Sequence, residues 1–236
     1  MLLSPQHAVK ASLRSPTMLP RLAIVDPLLT LSVPRAVTVS TGLDALTQLI
    51  EPLTSARANP MTDALCLEGI GRVARSLRRA CADGSDVAAR EDMALASLFG
   101  GLALANAGLG AAHGFAGPIG GAFGAPHGAV CAALLPHVMT ANRAALAAGQ
   151  PDSPVLGRYD EIARRLTGSD AALAAEGVSW ITGLIRDLDV PPLRAFGVTP
   201  DHVDDLVDKT AVASSTKANP IALTRDELAA ILTAAL

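Results

Sequence analysis

Aromatic residues are nearly missing from this 236-residue chain, at 3% for Phe, Trp and Tyr together. Strands of sandwiches and barrels favour aromatic and β-branched residues. Their scarcity argues against an all-β core and for helices packed on alanine and leucine. Charge is sparse too, at 17% against 50% hydrophobic, so the interior is large relative to the charged surface. With a net charge of −3 and no basic cluster, the chain has no electrostatic footprint for nucleic acid. Arg72, Arg75, Arg78 and Arg79 fall at helical spacing and read as one solvated helix face. The cysteines, Cys66, Cys81 and Cys131, are odd in number and form no CxxC pair. That excludes a disulfide framework and points to a reducing, cytoplasmic location. No charged segment followed by an apolar run marks a signal peptide at the N-terminus.

A longer absence lies mid-chain: from Met93 to Asn142 there is no Asp, Glu, Lys or Arg. Residues 93–112 are long enough to raise a membrane span. Gly100, Gly101, Asn106, Gly108 and Gly110 interrupt them, and a buried core helix is the expected reading. Within the stretch, His113 and His127 bracket HGFAGPIGGAFGAPHG. A buried charge is costly unless paired or bound to a metal. Two imidazoles in a charge-free core therefore form a candidate cation site, and Asp44 in TGLDALTQLIE offers the missing carboxylate. Asp44 and Gln48 are four apart and share one helix face. The glycines of GPIGGAFG lack the preceding strand and the GK[ST] ending of a phosphate loop. They read instead as positions of close approach.

Residues 21–26 (RLAIVD) read as a short strand and 37–40 as a second extended piece. Helical signals follow. Thr41 or Gly42 opens a helix that Pro52 ends. Asn59-Pro60 starts another that runs to Asp83-Gly84. Ser85 caps a third, Pro126-His127-Gly128 starts one reaching about residue 147, and 155–166, 170–188 and 200–214 are helical. Thr224 to Glu227 is a capping box for the last. About eight helices make this an all-α bundle with a short N-terminal β remnant. His137 reads as packing or as a partner behind the site, and His7 and His202 as surface residues.

TGLDALTQLIE, NPMTDALCLEGI, NAGLGAAHGFAGPIGGAFGAPHGAVCAALLPHVM and STKANPIALTRDELAAIL occur in that order. Over about residues 10–236 the chain resembles the iron-containing (group III) metal-dependent alcohol dehydrogenases, specifically their C-terminal helical metal-binding domain. The resemblance implies that Asp44, His113 and His127 are metal ligands. Gln48 stands where the family usually has a further histidine ligand, and Gly117 where many members have a histidine beside the substrate. Residues 1–34 resemble the tail of the family's N-terminal dinucleotide domain, and 35–236 its helical domain. The GGGS and TGSE-like segments of that first domain do not occur in the chain.

From this follow several expectations. The cofactor is one divalent transition metal, zinc or iron, at Asp44, His113, His127 and Gln48, with no NAD(P). Without a hydride carrier, the leading expectation is hydrolysis of activated esters or phosphotriesters by metal-bound hydroxide. The alternative is a C-terminal fragment or subunit of an NAD(P)-dependent, iron- or zinc-containing alcohol dehydrogenase. The partners expected are a small-molecule substrate and a second copy of the chain, with neither nucleic acid nor a membrane. The homodimer is expected because Leu2, Leu3, Leu19, Leu22, Ile24 and Val25 read as an edge in need of cover.

Overall fold

A computed structural model describes residues 2–4, 9–11, 15–18 and 20–236. His7 and Leu19 lie outside the described residues. Nine α-helices are present among them: α1 Arg35–Thr54, α2 Pro60–Ala82, α3 Val87–Ala107, α4 Ala111–Phe123, α5 His127–Gly149, α6 Val155–Thr167, α7 Ala174–Asp187, α8 Val203–Val212 and α9 Arg225–Ala234. The all-α expectation holds. The strand expected at 21–26 does not form. The short strands β1 (Leu2–Ser4) and β2 (Val9–Ala11) pair antiparallel instead, while Leu22 and Ile24 are exposed at 75% and 82%. An apolar run becomes a strand only where an edge is available to pair with it, and among the described residues none meets residues 21–26.

The first helix starts well before Thr41. Residues 37–40 lie inside it, and Pro52 sits in its last turn rather than ending it. Burial explains the override of local propensity: Val39, Leu43, Leu46, Leu49, Ile50 and Leu53 line one apolar stripe of α1. Asn59 and Thr62 form the capping box of α2, with Pro60 at its first position, and Thr224 and Glu227 that of α9. Asp86, not Ser85, caps α3 through the Ala89 N–H.

Two cores divide the bundle. One gathers α1, α2, α3, α6 and α7 with Ala132, Leu135 and Met139 of α5. The other gathers α4, α8 and α9 with Val130, Cys131, Leu134 and Val138 of α5. Opposite faces of α5 thus serve the two cores, and its first turn lies at the seam. The charge-free stretch breaks at 108–110, where α3 and α4 meet at 103°. No single described helix is long and apolar enough to cross a membrane.

The arginines of α2 lie on a largely solvated face, as their spacing suggests, and each is also ion-paired there. Arg72 and Arg75 converge on Asp92 of α3, Arg78 reaches Asp187 at the end of α7, and Arg79 reaches Asp86. Asp92 accepts bonds of 2.8 Å from Arg72, 2.8 and 2.7 Å from Arg75 and 2.6 Å from the Ser76 hydroxyl. Burial pushes its carboxyl up, but the bonds from Arg75 and Ser76 and the two guanidinium charges outweigh that and hold it below 3.8. A depressed folded-state pKa gives stability that is present above the ordinary value and is lost as pH falls through the folded one. Asp92→Asn is therefore expected to lower stability at pH 7 by about 1–3 kcal/mol, with the gap closing toward pH 3. Urea unfolding at the two pH values checks this, and an equal gap at both would contradict it.

Candidate metal centre

Most of α1 is buried, and three of its polar residues fall on successive turns of one face: Asp44, Gln48 and Glu51. His113 is the third residue of α4, and His127 the first of α5. The fold brings Asp44, His113 and His127 together. Asp44 Oδ1 lies 3.5 Å from Nε2 of His113 and 3.5 Å from Nε2 of His127. The two rings sit with centroids 5.4 Å apart. Asp44 Oδ1 and His113 Nε2 are buried and have no hydrogen-bond partner. Two buried polar atoms that face each other at 3.5 Å without a hydrogen bond are costly. A cation between them removes that cost, and a carboxylate with two imidazoles is a donor set that suits zinc or iron.

Close approach of the helices makes this possible. A Cβ on Gly128 would run into the Ser40 carbonyl and reach Asp44 Cβ at 3.0 Å. Glycine there lets the first turn of α5 lie directly on α1, which puts His127 beside Asp44. A Cβ on Gly117, one turn beyond His113, would meet nothing within 4 Å. That position is open space on the His113 face of α4.

Behind His113 stands a residue that the sequence reading passed over. Glu51 is 4% exposed. His113 Nδ1–H donates to its Oε2 at 2.6 Å, the Gly110 N–H donates to the same oxygen at 2.9 Å, and the Ala112 N–H donates to Oε1 at 2.8 Å. The Ala111 N–H is taken by Asn219 Oδ1 at 3.1 Å. Asn219 in turn is clamped to Asn142 and the Ile221 carbonyl. Gly110 has no side-chain cap of its own, so Glu51 and Asn219 satisfy the first turn of α4 from other parts of the chain. The helix dipole favours a carboxylate there. The same carboxylate fixes the tautomer of His113 and turns Nε2 toward Asp44, as the outer partner of a metal-bound histidine does.

The electrostatics call for positive charge. Burial works against the His113 imidazolium, yet the Cys131 sulfur, Glu51 and Asp44 together hold its pKa well above 6.5. Burial pushes the Asp44 carboxyl up, but His113 and His127 bring it below 3.8. Gln48 reaches the cluster through Asp44, donating from Nε2 to Oδ2 at 2.7 Å. A second residue missed from the sequence is Cys131. It is fully buried one turn after His127, and one donor atom from each of Asp44, His113, His127 and Cys131 lies within 4.8 Å of the others. Of the remaining histidines, His137 is half-buried, with burial lowering its pKa. His202 is half-buried against Phe123 and accepts from the Thr199 N–H, so it caps a turn.

Residues 38–236 match the family model described as the C-terminal part of the Fe-containing alcohol dehydrogenase family. The chain belongs to that family. It is 39% identical to the 1,3-propanediol dehydrogenase of Klebsiella pneumoniae over 219 residues, which is 90% of this chain and 54% of that protein. Among solved structures, an archaeal Red Sea brine pool alcohol dehydrogenase superposes with a TM-score of 0.90 at 27% identity, covering all of this chain and 59% of that one. Sulfoacetaldehyde reductase from Bifidobacterium kashiwanohense, solved in complex with NAD+, superposes with a TM-score of 0.82 at 29% identity over 94% of this chain and 56% of its own. The chain thus spans about half the length of the relatives it matches.

The comparisons overturn the hydrolytic expectation. These relatives are dehydrogenases or reductases, 1,3-propanediol dehydrogenase among them, and not hydrolases. The expectation rested on elimination: a metal without a visible hydride carrier was given water as its reactant. Carrier-binding segments missing from a chain that spans half of its relatives are no ground for changing the reaction class.

Proposed function

We propose that this chain is the metal-holding half of an alcohol dehydrogenase that interconverts a small alcohol and its aldehyde. Asp44, His113 and His127 hold one zinc or iron ion, and Glu51 aims His113 from behind. The convergence of Asp44 Oδ1 and His113 Nε2, buried and without hydrogen-bond partners, carries the reading. When bound, a divalent metal supplies a Lewis acid for the alcohol or carbonyl oxygen. The chain's own residues supply the rest of the setting. Gly117 leaves room for the substrate on the His113 face. The uncharged walls of α4 and α5 keep the surroundings apolar, which strengthens every charge interaction inside. Hydride transfer in this reading uses NAD(P), and no residue of the chain is assigned to holding it.

His127→Ala is expected to lose most of the bound metal, because removing one of the residues that hold it leaves an incomplete shell. Elemental analysis of purified protein reads the outcome, against about one equivalent in the unaltered chain. The metal-loaded chain is expected to bind short diols saturably, and the stripped chain and His127→Ala are not. Unchanged metal content in His127→Ala, or no alcohol binding by the loaded chain, would overturn the reading.

A further inference from the structure

The family pattern puts a histidine where this chain has Gln48. The structure shows Gln48 donating to Asp44 Oδ2, so its amide nitrogen is occupied at the carboxylate. On the other wall of the cluster stands a donor of a different kind. Cys131 follows His127 by four residues on α5 and so shares its face. Its sulfur belongs to the same set of four donor atoms, all within 4.8 Å of one another. Donors around a small tetrahedral ion have separations of that order or less, given metal–ligand bonds of about 2.0–2.3 Å. The 94%-buried His113, with Nε2 lacking a hydrogen-bond partner, is aimed into the same space.

We infer that Cys131 is a fourth protein ligand in this chain, making an Asp–His–His–Cys site whose thiolate favours zinc over iron and which a substrate oxygen joins as a fifth ligand. The inference rests on the reading that Asp44, His113 and His127 hold a metal. A soft sulfur donor suits zinc, and carboxylate with two imidazoles alone suits either ion. As the metal–sulfur bond forms, the Cys131 S–H bond breaks and its proton leaves to solvent. Nε2 of His113, protonated in the metal-free cluster, gives up its proton to solvent as well and contributes the freed lone pair, while Nδ1 keeps its proton and its bond to Glu51. In the metal-free protein burial pushes the Cys131 thiol up to about 11, against the pull of His113. A coordinating metal removes the thiol proton outright, so the neutral thiol of the empty cluster is no obstacle. Cys66 and Cys81 are on α2, and neither joins the cluster.

Cobalt(II) distinguishes the ligand sets, because a thiolate bound to it gives an intense near-ultraviolet charge-transfer band that nitrogen and oxygen ligands do not. Metal-stripped protein titrated with cobalt(II) is expected to take up one equivalent and develop that band. Cys131→Ser and Cys131→Ala are expected to lose the band, and Cys66→Ser and Cys81→Ser to keep it. X-ray absorption of the zinc-loaded, unaltered chain gives a readout free of any folding defect in the variants, with one sulfur expected at about 2.3 Å. Cobalt bound at one equivalent without a sulfur band, a band that survives in both Cys131 variants, or no sulfur in the zinc shell would each overturn the inference while leaving the three-ligand site standing. No cobalt uptake at all would overturn the three-ligand site with it.

Discussion

Glu51→Gln is expected to lower metal affinity about 10- to 100-fold with all of the proposed ligands still present. The glutamine has the same shape, but one of its two positions is an NH2. Three donors point at the native carboxylate: the Gly110 and Ala112 N–H groups and His113 Nδ1–H. An amide sets a donor against at least one of them. The His113 ring then loses either its fixed tautomer or its orientation, and Nε2 no longer faces Asp44 at the right angle. Glu51→Ala removes the group entirely. It leaves the buried first turn of α4 and the His113 imidazolium unmatched, and it is expected to cost about 3–5 kcal/mol in the metal-free protein. Competition with a chromophoric chelator measures the first effect, and denaturant unfolding the second. Unchanged zinc affinity in Glu51→Gln would show that His113 is oriented by something else.

Gly128→Ala is expected to damage both stability and metal binding. The added methyl has only backbone to meet, the Ser40 carbonyl, with Asp44 Cβ beside it. Neither is the free end of a flexible side chain, so α5 must shift from α1. That shift opens the core between Leu43 and Leu46 of α1 and Leu135 and Met139 of α5, and it draws His127 away from Asp44. Forced core expansion costs about 1–3 kcal/mol, and the metal site loses its closure in addition. Gly117→Ala is the matched control. Its methyl meets open space, and replacing a helix-interior glycine with alanine adds up to about 1 kcal/mol of helix stability. Parallel thermal melts and metal titrations read both variants. Equal behaviour of the two would contradict the account of how α5 is seated.

What could be read from the sequence follows a physical divide. Asp44, His113 and His127 were legible because charge-bearing or ligating residues stand out in an uncharged, glycine-rich region. The caps at Asn59 and Thr224 were legible because a cap is local chemistry. The start of α1 was not, since Thr38 to Thr41 locally favour extended backbone and only burial against α2, α3 and α5 makes them helical. The strand at 21–26 failed for the converse reason, as an apolar run says nothing about whether an edge awaits it. Glu51 left a signal that went unused. It is the second acid of a mostly apolar helix, seven residues from Asp44, and such a charge needs a buried partner. Cys131 left a fainter one, at four residues from His127, because a single cysteine reads equally well as a small core residue.

Anomalous scattering from crystals of the zinc-loaded chain tests the central claim most directly. The account predicts one strong peak at the zinc edge, about 2.0–2.2 Å from Asp44 Oδ1, His113 Nε2 and His127 Nε2. A peak away from these three residues, or none there at one equivalent of bound zinc, would contradict it.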